Sequence, residues 1–149
     1  MTFAPTGLVS REGMLEMGRT ILAAQPFSVL IGAELLSFSS GSVELQVPVT
    51  DKICQQHGFV HGGVVSYAAD NALTYAGGSV LATSVVTSEF KINYLRPAVG
   101  EMLIARAKAV HVGKTQAVCT CEVFVRNDGV EKLCAIAQGT IAMLPANTR

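Results

Sequence analysis

The residues whose types could do chemistry gather between Gln55 and Leu81, QQHGFVHGGVVSYAADNALTYAGGSVL. His61-Gly62-Gly63 precedes a proline-free run of apolar and small residues long enough for about five helical turns. Glycines at a helix start let a substrate approach the backbone closely, and the first N–H groups of a helix have no intrahelical partner. With the helix dipole they make a site for a carbonyl oxygen that becomes negative during reaction. One such donor is worth on the order of a hundred- to thousandfold in rate. Asp70 is the only charged side chain in the run. A lone carboxylate on a buried helix is costly unless it is hydrogen-bonded or functional. Ser66, Asp70 and Thr74 recur at intervals of four and stack on one side. Asp70 is therefore a candidate nucleophile or general base for water.

Plainer roles compete for each residue. Asp70 could be satisfied by backbone donors of a neighbouring subunit, and Gly62-Gly63 could serve close packing of helix on sheet. His61 could be a structural hydrogen-bonder, and Thr74 could bond the carbonyl four residues back, as buried helical threonines do. Cys54, His57 and His61 are spaced loosely like metal ligands, but a fourth is missing and His61 belongs to the helix start. Neither a metal nor another cofactor is expected.

Spacing adds a constraint. Gly62 and Asp70 are eight residues apart, so at 1.5 Å per residue they sit roughly 12 Å apart along one helix. They cannot both touch one carbonyl. Two copies related by a two-fold axis could bring the Gly62 amide of one to the Asp70 carboxylate of the other, so joint action requires at least a dimer.

The elements around this helix follow from periodicity. An N-terminal helix is expected over about residues 10–25, capped near Ser10 and carrying Met14, Leu15, Met17, Ile21 and Leu22. Phe27–Phe38 reads as a strand, and Ser42–Val49 alternates as its hairpin partner across Ser39-Ser40-Gly41. A loop leads to the central helix, which should end around Gly77-Gly78. Four strand-like runs follow, over 82–95, 101–112, 115–126 and 133–143, as a meander. Asp128-Gly129 marks a hairpin. The central helix is apolar on nearly every side and needs cover on every side. A curled antiparallel sheet of about six strands would supply one side and a second subunit the rest. The fold class is α+β, and the 149 residues form one expected domain, with its core over about residues 27–144.

Composition narrows the function classes. Charged residues are 15%, mean hydropathy is +0.42, and 11 basic residues balance 11 acidic ones. The balance suits an oligomer that hides apolar surface. It gives little support to nucleic-acid binding, since there is no basic run and no tryptophan. Neither a secretory signal nor a membrane span is apparent. The four cysteines lack a disulfide pattern, and Cys119 and Cys121 share one strand face, so a cytoplasmic setting is expected.

The run HGGVVSYAADNALTYA resembles the HGG-containing segment of hotdog-fold acyl-CoA thioesterases of the phenylacetate-pathway, PaaI-like type. The likeness continues through EFKINYLRPAVGE to Gly139-Thr140, over residues 28–144. It implies a hotdog fold and hydrolysis of an aryl- or medium-chain acyl-CoA to free acid and CoA. Asp70, nine residues after the motif histidine, would be nucleophile or base, and the Gly62 amide, beside Gly63, would polarise the thioester carbonyl. By the same resemblance Gln55 positions thioester or water, Thr74 orients the attacking water, and His61 orients its neighbours. Thr87 or Ser88 adds a polar group; the register is ambiguous by one, and Gln56 competes with Gln55. Arg96 and Lys114 are candidates for the CoA phosphates, and Tyr67 and Leu73 for the pocket wall. The family places its sites across a dimer interface, within homodimers or homotetramers. Competing readings are a non-catalytic acyl-CoA-binding module, expected to lack Asp70, and a hotdog dehydratase or hydratase, whose motifs are not recognisable.

Overall fold

The computed structural model describes residues 1–3 and 9–146. The elements run α1 (Arg11–Ala23), α2 (Pro26–Leu30), β1 (Glu34–Ser39), β2 (Ser42–Pro48), a short 3-10 turn (Asp51–Ile53), α3 (Gly62–Leu81), β3 (Val85–Tyr94), β4 (Met102–Val112), β5 (Gln116–Asn127) and β6 (Val130–Met143). The strands form one antiparallel sheet in the order β1-β2-β4-β5-β6-β3. It curls around α3, which packs on every strand from β2 to β6. Alternation decides which side chains meet the helix. Ala117, Cys119, Cys121, Val123 and Val125 of β5 are all buried, as are Val43, Leu45 and Val47 of β2. Desolvation pushes the Cys119 and Cys134 thiols up to about 11 and Cys121 to about 12.

Capping and turn chemistry act where the sequence places them. Ser10 caps α1, its Oγ accepting from Gly13 N–H at 3.0 Å. Asp128 and Gly129 both adopt positive φ (50° and 76°), which a two-residue turn between right-twisted strands demands.

Four expectations need correction. Phe27–Phe38 is not one strand: Pro26 starts the helical turn α2, Gly32 reverses the chain at φ 72°, and β1 begins only at Glu34. Proline's fixed φ suits the first helical position, and a short apolar run does not by itself distinguish strand from helix. Next, α3 does not stop at Gly77-Gly78 but runs to Leu81, with Ala82 left-handed at its end (φ 56°). The two glycines serve close approach. A Cβ at Gly77 would lie 2.5 Å from Ile141 Cβ, and one at Gly78 would lie 2.0 Å from the Phe3 ring. Third, the last four strands are not a meander. β3 pairs with β6 at the far edge of the sheet, and only β4-β5-β6 follow in order.

Finally, a second subunit is not the whole of the remaining cover for α3. The N-terminal segment and β1 lie over it: Tyr75 OH donates to Gly18 O at 2.8 Å, and Phe3 and Phe38, tilted against each other, both stand edge-on to the Tyr75 ring. Such ring pairs add about 0.5–1.5 kcal/mol each beyond their burial. A buried polar cluster does the same for α2. Gln25 Oε1 accepts from Ser28 Oγ at 2.7 Å and from Asn71 Nδ2 at 3.1 Å, and the Tyr67 hydroxyl joins both Ser28 and Asn71.

Candidate active site

The helix start is built by one histidine. His61 stands at the N-cap of α3 with extended backbone (φ −57°, ψ 132°), and its Nδ1 accepts from Gly63 N–H at 2.8 Å. That bond needs a bare Nδ1, so it selects the neutral ring with its proton on Nε2. The His61 carbonyl accepts from Val64 N–H at 2.9 Å and Val65 N–H at 3.3 Å. Three of the first four helical N–H groups are therefore used. Among the described residues, the Gly62 N–H has no partner. It is a donor at the positive end of a 20-residue helix. The His61 N–H donates to Ile53 O at 2.8 Å, fixing the approach to the helix from the preceding loop.

Two turns along, Asp70 is half-buried and faces β3. Thr87 Oγ donates to its Oδ1 at 2.6 Å. Thr74 Oγ lies 2.8 Å from the Asp70 carbonyl oxygen and 3.0 Å from Thr87 Oγ. Each hydroxyl has one hydrogen; Thr87 gives its own to the carboxylate, and Thr74 has two acceptors in reach. The other carboxylate oxygen, Oδ2, has no partner among the described residues. Gly62 and Asp70 lie on one unbroken helix, so the separation of roughly 12 Å stands.

The stretch that carries both groups matches a known family. The sequence profile of the thioesterase superfamily matches residues 57–132, half of the chain, both groups included. The chain belongs to the thioesterase superfamily. Among curated thioesterase relatives, the 1,4-dihydroxy-2-naphthoyl-CoA hydrolase of Listeria monocytogenes is 33% identical over 115 residues, 76% of this chain and 91% of that protein. A thioesterase family protein of Silicibacter pomeroyi superposes with a TM-score of 0.84 at 37% identity, over 89% of this chain and all of the other. The Escherichia coli PaaI protein of the phenylacetic acid degradation operon superposes at 0.78 and 25% identity, over 91% and 97% of the two chains. The hotdog fold and the PaaI-like resemblance expected of this superfamily member are therefore both found.

The remaining candidates of this thioesterase-family chain are placed as follows. Gln55 and not Gln56 lines a cleft of about 390 Å³, together with Gly62, Tyr94 and Arg96, while Gln56 is exposed. Gln55 Oε1 accepts from the His57 N–H, leaving its amide hydrogens to other groups. Thr87 and not Ser88 meets Asp70. The β3–β6 register shifts between Thr87 and Glu89, and Ser88 is exposed in the resulting bulge. Leu73 is fully buried in the core. Tyr67 is partly buried, its ring edge-on to Phe27.

Arg96 is exposed just beyond β3, whereas Lys114 lies past the other end of the ten-residue strand, roughly 30 Å away. One chain cannot hold a single phosphate with both. A second cleft, of about 850 Å³ and largely apolar, opens beside His61 and is lined by Phe27, Leu30, Pro48, Ile53 and Val64. Among the described residues, no three metal-ligating side chains come together.

One residue escaped the sequence reading. Tyr94 OH bonds both Ser66 Oγ and Gly62 O, the latter at 3.1 Å. It lies 28 and 32 residues from these partners, so no local period marks it. The only available signal was its place beside Leu95-Arg96-Pro97.

Proposed function

We propose that this protein hydrolyses an acyl-CoA thioester, with each active site shared between two subunits of a homodimer or of a dimer of dimers. The observation that carries the reading is that, among the described residues, the Gly62 N–H and Asp70 Oδ2 stand without partners on the same helix. The thioester oxygen sits on Gly62 N–H, where the helix end stabilises the charge that develops as the carbonyl carbon becomes tetrahedral. Asp70 of the opposite subunit acts through Oδ2. It either attacks the carbonyl to give a mixed anhydride or takes a proton from water as that water attacks. Thr87 holds Oδ1 and so aims Oδ2, and Thr74 braces Thr87. CoA leaves as its thiolate. In the anhydride route a water then cleaves the anhydride and regenerates Asp70, whereas in the base route the attacking water already supplies the acid's oxygen. Either way the free acid is released.

Gln55 orients the thioester or water with its amide hydrogens. Gly63 packs beside the substrate, and Arg96 meets the nucleotide phosphates at the rim of the smaller cleft. The apolar cleft beside His61 receives the acyl group, and its breadth suits an aryl or medium-chain acyl substituent. Support comes from the named activity of the Listeria relative, which acts on an aryl-CoA.

The test is hydrolysis of a panel of aryl- and alkyl-CoA thioesters by wild type and Asp70→Asn. Wild-type turnover with a loss of at least about a hundredfold in the variant supports the reading. Failure of wild type on every ester refutes it. Mixing inactive Asp70→Asn with inactive Gly62→Pro subunits tests the shared site. Mixed dimers hold one intact site in two, so an equal mixture should recover about a quarter of wild-type activity. Sites contained within single chains would recover none.

A further inference from the structure

The Gly62–Gly63 peptide is the most flexible kind of peptide unit the chain could place at a helix start, since neither residue has a Cβ to restrict it. Yet it is held at both ends. Its N–H, from Gly63, is bonded to His61 Nδ1 at 2.8 Å, and its C=O, from Gly62, accepts from Tyr94 OH at 3.1 Å. Ser66 Oγ bonds the same Tyr94 hydroxyl, and with Ser66 as the donor the single hydrogen of Tyr94 is left for Gly62 O. Tyr94 is otherwise half-exposed at the edge strand, 54% accessible, so burial alone does not explain its place. Its ring carbons stand 3.6 Å from the position of a Cβ on Gly62.

We infer that Tyr94 is a positioning residue: with His61 it clamps the Gly62–Gly63 peptide from both ends and thereby holds the adjoining Gly62 N–H in the direction of the thioester oxygen. The inference rests on the function proposed above, because it is the oxyanion role of Gly62 that gives the clamp a purpose. It follows from the geometry of preorganised donors. A donor that must swing into place while charge develops stabilises the transition state less than one already fixed there. Ground-state binding of the ester, by contrast, draws on contacts along the whole substrate and depends little on one donor's direction. Loss of the clamp should therefore lower kcat and leave KM nearly alone.

The test is Tyr94→Phe, which keeps the ring and removes only the hydroxyl, compared with wild type and Asp70→Asn on the same CoA thioester. The expected result is a fall in kcat of about tenfold with KM within about twofold. Faster hydrogen exchange of the Gly63 amide, read by NMR, should accompany it, because its partner bond loosens with the plane. A Tyr94→Phe/His61→Ala double variant should lose little more than the worse single variant, since both substitutions release one peptide. Full activity in Tyr94→Phe, with Asp70→Asn inactive, overturns the clamp and leaves the thioesterase reading standing. A rise in KM alone makes Tyr94 a cleft wall and also overturns it. Unchanged Gly63 exchange overturns it whatever the kinetics. A wild type inactive on every ester removes both the reading and the clamp's role in it.

Discussion

Gly62→Pro deletes one hydrogen from the molecule's chemistry with little disturbance elsewhere. Gly62 is the first residue of α3, the helical position that proline favours, and its N–H makes no bond among the described residues. The residue before a proline must be extended, and His61 already is, at φ −57° and ψ 132°. The new Cβ would meet Tyr94 ring atoms at 3.6 Å, an ordinary contact. Replacing glycine by proline where the backbone already suits it restricts the unfolded chain and stabilises by about 0.4–1 kcal/mol. The fold should therefore survive with an unfolding midpoint equal to or slightly above wild type.

Activity should not survive. Removing one oxyanion donor costs about 2.7–4 kcal/mol of transition-state stabilisation, on the order of a hundred- to thousandfold in kcat. The assay is loss of thioester absorbance, because half-exposed Cys54 would itself consume a thiol reagent. Gly62→Ala keeps the N–H and should stay within about fivefold of wild type. If Gly62→Pro retains activity within about threefold of wild type while Asp70→Asn is inactive, another group carries the oxyanion. If alanine is as damaging as proline, the loss is steric, and the donor argument fails.

Thr87→Val should lower kcat by about tenfold by freeing Asp70 Oδ1, whereas Ser88→Ala should leave it unchanged, since the bulge turns Ser88 away; steady-state kinetics on both variants reads this. Gly78→Ala reverses the usual preference for alanine in helices, because its Cβ would lie 2.0 Å from the Phe3 ring. Overpacking should cost about 1–3 kcal/mol, measured by denaturant unfolding. In the native protein at neutral pH, Cys54 should react with a thiol reagent, and Cys119, Cys121 and Cys134 should react only on unfolding.

These three buried thiols also set an alkaline limit. Their native values of about 11 to 12 exceed the ordinary 9.0, so between those limits the folded chain binds more protons than the unfolded one. Their contribution is fully present below about pH 9 and is lost as pH rises through 11 to 12. Urea midpoints measured from pH 8 to 11 should fall accordingly.

What the sequence revealed and what it hid divide by range. Asp70 stood out because a single charge in an apolar helix is an anomaly within one 20-residue window, and Asp128-Gly129 announced its hairpin by dihedral need alone. Thr87 could not be told from Ser88, because a bulge resets the alternation, and a bulge is a property of the pairing with β6 rather than of β3. The place of β3 beside β6 was hidden for the same reason. So was the purpose of Gly77 and Gly78, which read as a helix end until Ile141 and Phe3 were seen against them. Tyr94 is the extreme case, since its two partners, Gly62 and Ser66, lie 32 and 28 residues back on α3.

That the two chemical groups sit about two turns apart on one helix has a consequence for regulation by assembly. A donor at the helix start gains from the positive end of the dipole. A carboxylate placed there would be stabilised as an anion and made a poorer base or nucleophile, while bonding the very N–H groups the substrate oxygen needs. Placing Asp70 in the third turn escapes both effects, at the cost of separating it from the carbonyl that the proposed reaction requires it to reach. Only a second helix running the other way restores the contact. On this reading the folded single chain is complete in structure and inactive in chemistry. Specific activity should therefore fall with dilution below the dimer dissociation constant and return on concentration, in step with the dimer fraction seen by sedimentation. Constant specific activity across a range in which dimers demonstrably dissociate would refute the shared site, because one straight helix holds Gly62 and Asp70 roughly 12 Å apart and they could not then both act on one carbonyl.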